Sequence, residues 1–168
     1  MIKLFRGRRG GEPANFVVRF KAKSMATIRH RVGIVAPRDK VWEALTTPQG
    51  LSGWWASSAS ITPATVHLAF TGLTTLTFSI LNQENVSRLH LKNTVDPHPW
   101  GGSELEFFLS AADAQVFVTL LHHHPEASEE DFQFFMTKWP IFLVSLKRFV
   151  ETGIGNPFPN DIKIQADL

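Results

Sequence analysis

Hydrophobic and polar positions alternate along the first two thirds of this chain, then change to a three-to-four-residue period near its end. In Ala26–Val35, Ile28, His30, Val32 and Ile34 share one side and Arg29 and Arg31 take the other, which predicts a strand with one buried face. Pro37 suits a first helical position, where its missing N–H costs nothing, and Val41, Trp42 and Leu45 then form one helical stripe. Thr47-Pro48 reads as the cap and first residue of a second short helix, closed by Gly50 or Gly53.

A strand-rich block follows. Thr65–Phe70 turns Val66, Leu68 and Phe70 to one side, and Thr74–Asn82 does the same with Leu76, Phe78 and Ile80, with Thr71-Gly72 as the hairpin turn between them. Asn82–Asn85 predicts the next turn, and Ser87–Val95 the next strand, with Leu89, Leu91 and Val95 inward. Pro97, Pro99, Gly101 and Gly102 mark a loop. Ser103–Ser110 places Leu105, Phe107 and Leu109 inside and Glu104 and Glu106 in solvent. After the turn at Ala111–Ala114, Gln115–His124 is apolar on both faces up to its histidines, so it reads as a strand covered on both sides.

Ser128 with Asp131 forms a capping-box pattern, and the acids of that turn suit the positive end of a helix. Phe132, Phe135, Trp139, Phe142, Leu143, Leu146 and Val150 then define a long helix with a wide apolar face, stopped by Gly153. Lys147 and Arg148 suit its last turns, and Pro140, inside it, removes one backbone bond and predicts a kink. The fold class is α+β: a curved antiparallel sheet wrapped around a long C-terminal helix, with two short helices after the first strand. One helix cannot fill such a sheet, which leaves room for an apolar pocket between them.

The order of these elements resembles the START-type, birch-pollen-allergen-like helix-grip superfamily (SRPBCC). More narrowly, the chain resembles the domain named for activators of the ninety-kilodalton heat-shock-protein ATPase. The resemblance rests on Ala36-Pro37, Val41-Trp42-Glu43-Ala44-Leu45, Thr47-Pro48-Gln49-Gly50-Leu51, Trp54-Trp55, Trp100-Gly101-Gly102-Ser103, Leu146-Lys147 and Glu151-Thr152-Gly153, spanning about Met25 to Pro157. It implies a cavity that takes lipids, steroids, polyketides or other apolar molecules. It also implies two alternatives, a cyclase- or hydrolase-like enzyme and a regulator of the heat-shock ATPase, and hence a chaperone as a possible partner. The chain departs from the family pattern at His122-His123-His124-Pro125 and at Pro140.

Composition narrows this picture. Seven of the 17 basic residues and one of the 15 acids lie within residues 1–24, so the remainder carries ten bases against 14 acids. The basic character therefore belongs to a leader, and no basic face for nucleic acid is expected. Residues 1–24 read as a vector-derived or upstream-start tail ahead of Met25, with a transit peptide or an edge strand at Asn15–Phe20 as alternatives, and residues 25–168 as one domain. Cysteine is absent, which excludes disulfides and thiolate chemistry and fits a cytoplasmic protein. No apolar run is long enough for a membrane span.

The histidine run is the sharpest chemical feature. A metal site would use His122 and His124 with His30 or an acid, but no acid falls at a matching position, so the run reads as an exposed strand end and no metal is expected. Of the indoles Trp54 and Trp55, one is expected in the core and one over a loop. The inward positions are almost all aliphatic or aromatic, so no catalytic residues and no cofactor are assigned. The expected ligand-binding residues are His30, Trp55, Phe70, Phe78, Leu91, Phe107, His122, Phe135, Trp139 and Phe142, with His30, His122 and Trp55 orienting a small apolar or amphipathic ligand. The assembly is expected to be a monomer or a homodimer.

Overall fold

The computed structural model describes residues 26–95, 100–124 and 127–164. The expectations for the leader lie outside these residues. The chain forms β1 (Ala26–Ile34), α1 (Arg38–Thr46), α2 (Pro48–Trp54), β2 (Ser58–Ile61), β3 (Thr65–Phe70), β4 (Thr74–Glu84), β5 (Arg88–Asn93), β6 (Glu104–Ala112), β7 (Gln115–His124) and α3 (Glu129–Thr152). The seven strands make one antiparallel sheet in the order β1-β7-β6-β5-β4-β3-β2. Strands β2 to β7 form a simple meander, each pairing with the strand next in sequence. The α1–α2 segment carries the chain from β1 on one edge to β2 on the other.

Alternation fixes the register. Ile28, Val66, Leu68, Leu76, Phe78, Leu89, Leu91, Leu105, Phe107, Val118 and Leu120 all point inward and are buried. Helix α3 lies against this face with Phe135, Trp139, Phe142, Leu143 and Leu146 buried. Its capping box is complete, with Ser128 Oγ accepting from the Asp131 N–H at 3.0 Å, and Gly153 ends it at φ 80°. Thr47 caps α2 by accepting from the Gly50 N–H at 3.0 Å.

Several local expectations are corrected. Strand β2 carries no alternation strong enough to predict it, being a four-residue edge strand rich in serine. Six strands therefore follow the short helices, one more than the pattern predicts. Strand β4 runs on to Glu84, so the turn falls after it, and β5 ends at Asn93, which is buried, with Val95 only half-buried. Pro37 is the N-cap of α1 and not its first helical residue. Gly50 and Gly53 do not close α2. They lie inside it where neighbours come close, since a Cβ on Gly50 would stand 2.5 Å from Ala44 Cα. Among the described residues no second layer covers strand β7. Its outer side chains are half-buried by neighbouring strands, with the Arg31 guanidinium 3.8 Å from the Phe117 ring centre. Glu106 lies on that outer face but is buried, because Arg88 at 2.5 Å and His123 at 3.1 Å enclose its carboxylate. Lys147 and Arg148 precede the last turn of α3, which holds no basic residue.

Candidate functional site

A cavity of about 440 Å³ opens between the sheet and α3. One wall is the β3–β4 hairpin, with Phe70, Leu73, Thr74 and Leu76. The second is a stripe of α3 residues spaced four apart, Glu130, Phe134, Lys138 and Phe142, with Asp131 and Phe135 beside it. The chain after α3 crosses back to form the third wall with Phe158, Asp161, Lys163 and Ile164, and Trp100 stands at the back. The lining is thus mostly aromatic and aliphatic, with charge at one side.

The charge on Lys138, Asp161 and Lys163 is internally paired. Lys138 and Asp161, both buried, form an ion pair, and Lys138 Nζ also donates to the Ile162 carbonyl at 2.7 Å. Lys163 Nζ donates to the other Asp161 oxygen at 2.5 Å and lies 4.2 Å from the Phe158 ring centre. Burial alone would raise the Asp161 carboxyl, but hydrogen bonds from Lys138 and then Lys163 bring it below its ordinary value of 3.8. Phe158 packs edge-on against Phe70 at 5.7 Å, so the tail is fixed by an aromatic contact and an ion pair together. The Ser145 hydroxyl donates to the Trp54 carbonyl at 2.8 Å and accepts from the Asn156 N–H at 2.7 Å, joining α2, α3 and the tail.

Behind Trp100 the interior is filled by rings. Trp54 and Trp55 stack at 5.2 Å, and both are fully buried, which corrects the expectation that one would shield a loop. Trp55 lies 5.3 Å from Trp139, which in turn meets Phe142 at 5.7 Å and Phe107 at 6.4 Å. His122 and His124 are buried on the inner face, not an exposed strand end, because α3 and Trp100 cover that end of β7. The Trp139 indole N–H donates to His122 Nδ1 at 3.0 Å. Burial, and then the neighbouring His124 and His123, lower the His122 pKa to about 3, so the ring is neutral. With Nδ1 accepting, its proton sits on Nε2, and His122 can donate but has no lone pair to serve as a base.

Among the expected ligand-binding residues, Phe70, Phe135 and Phe142 line the cavity. Trp55, Phe78, Leu91, Phe107, His122 and Trp139 form the buried layer behind it. His30 is brought to neither. It is half-buried on β1, its ring engaged by the Met136 backbone of α3, and burial lowers its pKa. Sequence reasoning left out Lys138, Trp100 and the tail. The four-residue spacing from Phe134 to Phe142 already places Lys138 on the inner stripe of α3. Asp161 and Lys163 give no such signal, since the tail has no period. Among the described residues no three His, Asp or Glu side chains are grouped to hold a metal ion. No helix among them is long and apolar enough to cross a membrane.

The profile of the family described as Activator of Hsp90 ATPase homolog 1-like protein matches residues 35–151. Among solved structures, the Aha1 dimer from Colwellia psychrerythraea is 32% identical with a TM-score of 0.69, over 78% of this chain and 100% of that one. CalU16 from Micromonospora echinospora is 24% identical with a TM-score of 0.67, over 84% of this chain and 76% of that one. The AHSA1-like protein from Aeromonas hydrophila is 16% identical with a TM-score of 0.63, over 76% and 94%. The latter two show the fold alone. No curated protein matches the chain. A match across most of the sheet and nearly all of α3, joined to the same helix-grip architecture, places this chain in the family of Activator of Hsp90 ATPase homolog 1-like proteins.

Proposed function

We propose that the protein binds a small, largely apolar molecule in the cavity between the β3–β4 hairpin, α3 and the tail. The observation that carries this reading is an opening of about 440 Å³ lined by Phe70, Leu76, Phe134, Phe135, Phe142 and Phe158, a size suited to a small organic ligand. Removing apolar ligand surface from water supplies the driving force, at about 25 cal/mol per Å² before ordering costs. Lys138, Asp161 and Lys163 give one end of the site a polar character, which favours an amphipathic guest. A panel of fatty acids, sterols and fused aromatics tests this by thermal shift. A ligand at about 100 times its Kd is expected to add about 2.7 kcal/mol of stability. Phe134→Glu, at a half-buried lining position, is expected to abolish the shift. A panel that leaves the melting temperature unchanged overturns the proposal.

The family match supports a second reading, a regulator of an Hsp90-type ATPase. Adding the protein to such a chaperone is then expected to change its rate of ATP hydrolysis, and an unchanged rate removes that reading. The Colwellia psychrerythraea relative is a dimer, which supports a homodimer here, and sedimentation equilibrium decides it.

A further inference from the structure

Among the buried polar side-chain atoms that find no hydrogen-bond partner among the described residues are Trp55 Nε1, Asn93 Nδ2 and His122 Nε2. Their chemical sense is fixed by their partners. An indole nitrogen only donates, so Trp139 takes the lone pair of His122 Nδ1 and leaves the hydrogen on Nε2. Asn93 Oδ1 accepts from the Val95 backbone N–H at 2.8 Å, so the free end of that amide is its NH₂. All three orphans are therefore donors.

Two of them border one side chain, and the third lies across a strand pair from a neighbour of it. The Trp100 ring stacks on His122 at 5.4 Å and lies 6.3 Å from Trp55. It is 6.5 Å from Phe78, the direct cross-strand partner of Asn93. Trp100 itself is half-buried and lines the cavity. Folded interiors pair nearly every buried polar group, so three donors gathered behind one cavity wall call for a cause.

We propose that the deep end of the cavity recognises a neutral carbonyl oxygen on a flat, apolar body, held by His122 Nε2–H and Trp55 Nε1–H with Asn93 Nδ2–H beside them. The oxygen reaches the donors when the Trp100 indole turns aside. The body of the ligand then stacks among Trp55, Trp139 and Phe135, whose rings already border this place. A carboxylate fits less well, because the three donors themselves are neutral and a buried charge needs a charged partner. An amine fails, because it brings further donors to a site that lacks acceptors. This inference rests on the ligand-binding reading above and names the ligand class for it.

The test compares 2-acetylnaphthalene with 2-isopropenylnaphthalene, which has the same shape without the oxygen. The ketone is expected to bind about tenfold more tightly, the effect of one or two neutral hydrogen bonds. In the unaltered, ¹⁵N-labelled protein the Trp55 indole and His122 Nε2–H signals are expected to move downfield with the ketone and not with the hydrocarbon. In His122→Phe the two affinities are expected to converge, and the signals of the unaltered protein decide the matter if that variant fails to fold. Equal affinities overturn this inference and leave the cavity reading standing. Tighter ketone binding with unmoved N–H signals overturns it as well, placing the oxygen elsewhere. Binding of neither compound at millimolar concentration, together with a silent ligand panel, overturns both.

Discussion

Lowering the pH should weaken this protein by a calculable amount through His122 alone. The ring is fully buried, and Trp139 donates to its Nδ1 at 3.0 Å, so a second ring proton would point at another N–H. Its folded pKa is lowered from 6.5 to about 3. The unfolded chain therefore takes the proton more readily than the folded one. The stability from the neutral ring is complete above about 6.5 and is lost as pH falls from there toward 3. One proton bound only by the unfolded state costs about 1.4 kcal/mol at roughly pH 5.5 and about 2.7 kcal/mol at roughly pH 4.5. Other groups titrate in this range, so the measurement is a difference. Urea unfolding of the native protein and of His122→Gln, whose amide oxygen can still accept from Trp139, is followed from about pH 7.5 to 4.5. The native protein should lose stability faster by the stated amounts. Parallel curves, or an imidazole titration near 6.5 assigned to His122, would refute the reasoning, because the ring would then be protonated without cost.

Asp161→Ala strips a buried lysine of its charged partner, and breaking such a pair costs about 3–5 kcal/mol. Lys138→Met with Asp161→Leu should recover most of the loss. Equilibrium unfolding near pH 7 measures both, and an Asp161→Ala change under about 0.5 kcal/mol contradicts a buried pair. The lowered Asp161 pKa means its contribution holds above 3.8 and disappears as pH falls below, so the native and Asp161→Ala curves should meet in acid. Gly50→Ala drives a methyl to 2.5 Å from Ala44 Cα and 2.7 Å from the Ala44 carbonyl oxygen, and should cost about 1–3 kcal/mol in urea unfolding. Gly53→Ala meets mainly the Phe149 ring, which can turn, and should cost less. Trp139→Phe leaves His122 Nδ1 without its donor and should lower stability by about 1–3 kcal/mol beyond the lost volume, read by the same assay.

The sequence by itself determined the sheet and its grip. Alternation gives each long strand a face, and a one-residue slip would turn every apolar side chain to water, so Ile28, Leu68, Phe78, Phe107 and Leu120 could lie only where they do. Thr47, Ser128 and Gly153 set helix ends by chemistry local to a few residues, and the structure follows them. The phase of α3 likewise carried Phe135 and Phe142 to the cavity wall. What only the tertiary structure decided is which buried rings line a space and which fill it. Phe107 and Trp139 face inward as Phe70 does, yet with Trp55 they close on one another behind Trp100. His122 looked polar in its run and became a buried, neutral donor because a helix residue, Trp139, met it across the core. The tail holds its place through Asp161 and Phe158, which touch Lys138 and Phe70 far away in the chain. Period and capping act over one turn or one strand, and such distant partnerships leave no mark at that range.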